Sequence, residues 1–218
     1  MDAIIGNELK RVGRMAWGST IEDAARALDQ EGIVIFPTET FYGLAARVDR
    51  PGAVSRVAEL KGRVGQLPVI AADLENVRQW LALESELAQL ADHFWPGPLT
   101  VVGEPKAATC PELTSPRGTV AVRVSSHPLA QALARASGGL ITATSANSRG
   151  LPPPRSAGEV ESKLLDSCAI LDGGITAGGA PSTIVELAEG SVKMVREGTL
   201  SGEALAQVLG YLPVGNRA

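Results

Sequence analysis

Four cations, Lys61, Arg63, Arg123 and Arg196, and five hydroxyl or amide side chains, Thr38, Thr40, Ser145, Asn147 and Ser182, carry most of the chemistry this sequence offers. The polar five stand at the ends of short apolar runs that read as strands, which is where an open α/β sheet forms its ligand site. Such a set suits the holding of phosphates and of a small carboxylate-bearing substrate better than it suits covalent catalysis. Other kinds of site are missing from the sequence. There is no GxxxxGK[ST], so a nucleotide would not be held by a P-loop, and no GxSxG or HExxH. His93 and His127 are the only histidines, and neither stands at metal-ligand spacing from another His or Cys, so no metal is assigned to protein side chains. Cys110 and Cys168 lack CxxC spacing and read as two reduced thiols.

Several of these residues have a second reading. Lys61 and Arg63 face the Pro37-Thr38-Glu39-Thr40-Phe41-Tyr42 stretch across an anion-binding cleft, or they only complement the C-terminal end of a helix. Arg123 lies in a β run among valines, so it meets either a carboxylate of the protein or a ligand anion. The hydroxyls and amide of 144–150 make a turn or form a second wall of the site. The glycines of 173–183 let a ligand approach the backbone closely, or they merely connect. Glu39 and Tyr42 read as wall residues without a role.

The elements that must position these groups alternate in type. A capping box at Ser19-Thr20-Ile21-Glu22 opens a helix with Ile21, Ala24, Ala25 and Leu28 on one face, and Gly32 ends it before the first strand. Asp49 and Pro51 start a second helix, with Val54, Val57 and Leu60 on its apolar side, which delivers Lys61 and Arg63 at or just past its C-terminal end. Strands are predicted at 67–72, 99–102, 119–124, 140–143, 168–171, 183–187 and 192–195. Helices are predicted near 73–81, 84–94, 128–136, 157–165 and 201–209. The segment 105–118 is a surface loop, because the alternation resumes directly after it. The sequence thus predicts an α/β fold: an N-terminal arm over 1–18, one domain with a mixed sheet and flanking helices over 19–210, and a frayed tail over 211–218.

The chain has 218 residues, of which 44% are hydrophobic and 20% charged, which is globular and long enough for a substantial core. A net charge of −4 argues against broad adhesion to nucleic acid or anionic membrane, leaving room only for a local basic cleft. No stretch reaches the roughly 20 apolar residues that span a bilayer, and the start has no signal-peptide pattern, so the expected location is cytoplasmic.

In chain order, Phe36-Pro37-Thr38-Glu39-Thr40-Phe41-Tyr42-Gly43-Leu44, Lys61-Gly62-Arg63, Pro96-Gly97-Pro98-Leu99-Thr100, Val120-Ala121-Val122-Arg123, Ser145-Ala146-Asn147, Pro181-Ser182-Thr183-Ile184-Val185 and Arg196-Glu197-Gly198 resemble the motifs of the YrdC/Sua5 family. The resemblance implies a twisted α/β sheet with a concave, positively charged pocket, in the short single-domain form. It implies a threonylcarbamoyl-AMP synthase, which makes threonylcarbamoyl-AMP and pyrophosphate from L-threonine, bicarbonate and ATP, toward the N6-threonylcarbamoyladenosine of tRNA. By the same resemblance Lys61 and Arg63 are catalytic, and Lys61, Arg63, Thr119, Ser145, Asn147, Arg155 and Arg196 bind ATP. Thr40, Arg123 and Ser182 bind threonine. Mg²⁺ would arrive with the nucleotide, and the partners implied are downstream threonylcarbamoyl-transfer proteins, with at most a weak contact to tRNA. The family's Pro, Asn-Pro-Leu and His after the KxR pair are Val64, Leu67-Pro68-Val69 and Ala72 here. Two alternatives follow: an enzyme adenylating a different carbamoylated amino acid, and an RNA-binding or ribosome-maturation module without adenylation.

Overall fold

Capping hydroxyls, prolines and glycines punctuate the chain, and the computed structural model, which describes residues 20–62, 66–83 and 85–215, follows that punctuation closely. Thr20 opens α1 (Ile21–Asp29): its hydroxyl accepts from the Asp23 N–H at 3.2 Å while the Asp23 carboxylate turns back to the Thr20 N–H. The box therefore lies one residue later than the sequence predicts, in the phase that buries Ala24, Ala25 and Leu28. After α1 come β1 (Val34–Pro37), β2 (Tyr42–Ala45), α2 (Pro51–Lys61), β3 (Val69–Ala71), α3 (Leu74–Trp80), α4 (Ser85–Phe94), β4 (Leu99–Gly103) and β5 (Val120–Val124). They are followed by α5 (Pro128–Ala136), β6 (Leu140–Thr142), β7 (Thr144–Ser145), α6 (Ser162–Leu165), β8 (Ala169–Ile170), β9 (Thr183–Ala188), β10 (Ser191–Arg196), α7 (Gly202–Leu209) and β11 (Val214–Gly215).

The strands form two mixed sheets, one of four strands in the order β7-β2-β1-β8 and one of seven in the order β11-β10-β9-β4-β5-β3-β6. Segment 140–145 belongs to both: β6 runs antiparallel to β3 in the large sheet, and β7 pairs with β2 in the small one. At the crossing, the buried Thr142 hydroxyl accepts from the Ala46 N–H and donates to the Leu44 carbonyl, both at 2.9 Å. One face of β1 (Ile33, Ile35) packs with α2, α4 and the inner face of the large sheet, and the other (Val34, Phe36) packs with α1 and α5. Burying both faces this way is what a near-continuous apolar run encodes.

Three expectations change. The predicted helix at 157–165 is a 3-10 turn at Ala157–Glu159 followed by the single-turn α6, with Val160 and Glu161 in extended backbone between them. β7 is a strand where the sequence shows only a turn or wall. Beyond Gly210 the chain lays Val214–Gly215 along β10, so part of the expected tail is paired. Among the described residues no helix is long and apolar enough to cross a membrane.

Candidate functional site

A cavity of about 570 Å³ lies between the two sheets. Its floor is the large sheet, whose strands alternate between cavity and core. On β5, Ala121 and Arg123 line the cavity while Val120, Val122 and Val124 enter the core; on β4, Thr100 and Val102 alternate with Leu99 and Val101. On β9, Ile184 and Glu186 line it, while Val185 enters the core. Ser182 stands just before β9, and Arg196 ends β10 and lines the cavity as well. The facing wall is the turn after β1, with Thr38, Thr40, Phe41 and Tyr42, together with Thr144 and Ser145 of β7.

Thr40, Arg123, Ser182, Ser145 and Arg196 therefore share one cavity. Ser182 shares a hydrogen bond with Thr100 at 2.8 Å, and Arg196 donates to the Ser182 carbonyl at 2.8 Å and hydroxyl at 3.3 Å. Lys61 is held elsewhere. Gly62, in the left-handed region at φ +57°, ends α2 directly behind it. The buried ammonium donates to the Ser145 carbonyl at 2.7 Å and the Asn147 carbonyl at 2.5 Å, and to Asn147 Oδ1 at 2.9 Å. It reaches the cavity wall through Ser145, so Lys61, Ser145 and Asn147 are one group, whereas Arg196 stands with Ser182 on the floor. Thr119 pairs with Ser115 at 2.8 Å beside the floor, and Arg155 is exposed and donates to the Thr176 carbonyl at 3.1 Å; neither lines the cavity. Arg63 lies outside the described residues.

The second readings now resolve in part. Arg123 meets a carboxylate of the protein: Glu39, from the turn, accepts from both Arg123 and Ser125, which stand two residues apart on the same strand face. Burial pulls the guanidinium down from its ordinary value and Glu39 pulls it back. The same carboxylate opposes the burial that lowers His127. The glycine loop is tied to the site. The Tyr42 hydroxyl accepts from the Gly173 N–H at 3.0 Å and shares its proton between Asp172 Oδ1 and the Gly174 carbonyl at 3.0 and 2.7 Å. Burial pushes this phenol up to about 12. The Thr40 carbonyl accepts from the Thr176 hydroxyl at 2.8 Å and the Gly178 N–H at 2.9 Å. Gly178 sits at φ +69°, where a Cβ would lie 2.6 Å from Arg155 Nε.

Glu39, Tyr42, Asp172 and Thr176 are thus site-forming residues to which the sequence assigns no role. The signal for the first two was their presence inside a hydroxyl-rich strand end; for Asp172 and Thr176 it was only the neighbouring glycines. Leu67 and Ala72 are buried, one in each core cluster. Burial pushes the Cys168 thiol up to about 12 and raises that of Cys110, which disfavours a reactive thiolate at either. Among the described residues no group of three or more His, Cys, Asp or Glu could hold a metal ion.

Residues 26–198 match the model of the Sua5/YciO/YrdC family, whose description reads "Telomere recombination". The threonylcarbamoyl-AMP synthase of Bacillus subtilis is 39% identical over 199 residues, covering 89% of this chain and 58% of its own length. That of Chromohalobacter salexigens is 37% identical over 174 residues, covering 78% of this chain and 94% of its own. The crystal structure of Pyrococcus abyssi Sua5 complexed with L-threonine superposes with a TM-score of 0.82 at 36% identity, over 89% of this chain and 58% of that one. The chain therefore spans somewhat more than half of the Bacillus and Pyrococcus proteins and nearly all of the Chromohalobacter one.

Proposed function

From the premise that this chain belongs to the Sua5/YciO/YrdC family, we propose that it is a threonylcarbamoyl-AMP synthase acting in the cytoplasm, making threonylcarbamoyl-AMP and pyrophosphate from L-threonine, bicarbonate and ATP. The observation that carries the reading is the convergence of Thr40, Arg123 and Ser182 with Ser145 and Arg196 in one cavity. Cations and hydroxyls alone would fit many anions. Their partition between a strand floor and a loop wall suits two ligands that must meet.

In this reading the threonine carboxylate lies against Arg123, whose planar fork Glu39 holds in place, and the Thr40 and Ser182 hydroxyls orient the remaining polar groups. The carbamate formed from the threonine amine and bicarbonate attacks the α-phosphorus, and pyrophosphate leaves. Negative charge moves toward the β- and γ-phosphates, where Lys61 with its Ser145–Asn147 loop, Arg63, Arg155 and Arg196 stabilise it, and Thr119 steadies the nucleotide beside the floor. Mg²⁺ carried by the nucleotide would add to that charge when bound. Among the described residues no side chain is placed as a general base, and in this reading the acceleration comes from proximity and fixed charge. The product passes to proteins that transfer the threonylcarbamoyl group to tRNA.

A second reading, a sister enzyme for another carbamoylated amino acid, is favoured by one observation: Leu67 and Ala72, at positions where the resembling family carries Asn and His, are buried apolar side chains. Purified protein with ATP, bicarbonate and a panel of amino acids decides between them. Pyrophosphate release dependent on threonine supports the first reading, and release with another amino acid supports the second. Salt-sensitive RNA binding with no release would overturn both in favour of an RNA-binding module.

A further inference from the structure

Glu186 stands out as the one carboxylate among the described residues that line the cavity, whose charged groups are otherwise the cations Arg117, Arg123 and Arg196. It is a direct neighbour of Val102 across β9 and β4, and Val102 is a neighbour of Ala121 across β4 and β5. These three form one row of the floor, and Arg123, Thr100 and Ile184 occupy the next pleat. The row carrying Glu186 is thus small and apolar, closed at one end by a carboxylate. That side chain is 9% exposed, and among the described residues its one partner is Arg117, from the loop before β5, which is 66% exposed and also lines the cavity. The pair is lopsided: the buried member is the acid, and the cation comes from the surface to hold it.

A carboxylate offers no hydrogen-bond donor to a phosphate oxygen, so a triphosphate is better served away from it, by the donors of Ser182 and Arg196 on the floor and of Ser145 on the facing wall. The other end of the nucleotide then lies over the apolar row. An ionised carboxylate accepts hydrogen bonds and donates none, so it recognises donors, and on a nucleotide the two vicinal ribose hydroxyls are the donor pair spaced to meet one carboxylate. We infer that Glu186 receives the ribose hydroxyls of the nucleotide and makes the site specific for ribonucleotides, with Arg117 fixing the carboxylate from outside. The inference rests on the ATP reading above and adds the direction in which the nucleotide lies and the group that selects its sugar.

The test is calorimetric binding of ATP and 2′-deoxy-ATP to the full chain, wild type and Glu186→Gln. Wild type is expected to prefer ATP by about tenfold or more, the worth of a charge-assisted hydrogen bond, and E186Q to compress that preference to about twofold. Arg117→Met, which leaves the buried carboxylate in place without its cation, is expected to lower the preference by a smaller factor, with circular dichroism confirming that the variant is folded. An unchanged preference in E186Q overturns the inference while leaving the nucleotide reading intact, and so does a wild type that binds both nucleotides equally. Should E186Q not fold, an unchanged preference in R117M overturns it instead. No binding of ATP by the wild type overturns the nucleotide reading and this inference together.

Discussion

The floor and the wall of the cavity position their side chains by different means. On the floor, Thr100, Ala121, Arg123, Ile184 and Glu186 take their direction from the pleat, each alternating with a core residue that anchors the strand from behind. On the wall, the placement comes from cross-links between segments distant in the chain: Lys61 to Ser145 and Asn147, Tyr42 to Asp172 through Gly174, and Thr176 to Thr40. A floor residue can thus be exchanged with its scaffold intact, whereas a wall residue is part of its own scaffold. The difference predicts that floor substitutions change binding alone and wall substitutions change binding and stability together.

Glu39 joins the two regions, and its loss should cost most. Glu39→Ala leaves Arg123 buried without its carboxylate, and urea unfolding is expected to show a loss of about 3–5 kcal/mol, the cost of breaking a buried pair from one side; a loss under about 1 kcal/mol would detach floor from wall. Lys61→Ala is expected to lower kcat/KM for pyrophosphate release by about 10²–10³ and to lower Tm as well, since the Ser145 and Asn147 carbonyls lose their donor. Wild-type kinetics would return Lys61 to a helix-end charge. Tyr42→Phe should cost about 1–3 kcal/mol and speed amide exchange in the 172–179 loop.

The same phenol gives a pH signature. Its folded-state value of about 12 lies above the ordinary 10.0, so its contribution is whole below pH 10 and is lost as pH rises through about 12. The difference in stability between wild type and Y42F should shrink across that window. Arg196→Ala, on the floor, is the smallest in stability, within about 0.5 kcal/mol, while the KM for ATP rises; a clear loss of stability would blur the contrast drawn between the two regions.

What could be read in the sequence follows the same division. Strand alternation, the capping box near Thr20 and the helix start at Pro51 are local, and the elements they predict are present. That Thr40 and Ser182 stand at strand ends was legible from the sequence pattern, whereas the grouping of Arg123 with them came from the family resemblance alone. The Glu39–Arg123 pair and the Tyr42–Asp172 link join residues far apart in the chain, and no periodicity reports such a contact. The helix expected at 157–165 is interrupted where Val160 and Glu161 take extended backbone, and Glu159 and Glu161 accept from Arg155 and Ser148, partners outside the segment that its own periodicity does not report.

The crossing at Thr142 gives the cavity an unusual gauge. Ala143, between β6 and β7, is the single residue by which the chain passes from one sheet to the other, and it lines the cavity. The mouth is therefore measured in links of chain and not in side-chain volume. One residue inserted there would turn Ser145 to the far face of its sheet and draw the Lys61 anchor out of place. Every residue of the site would still be present, and there would be no site.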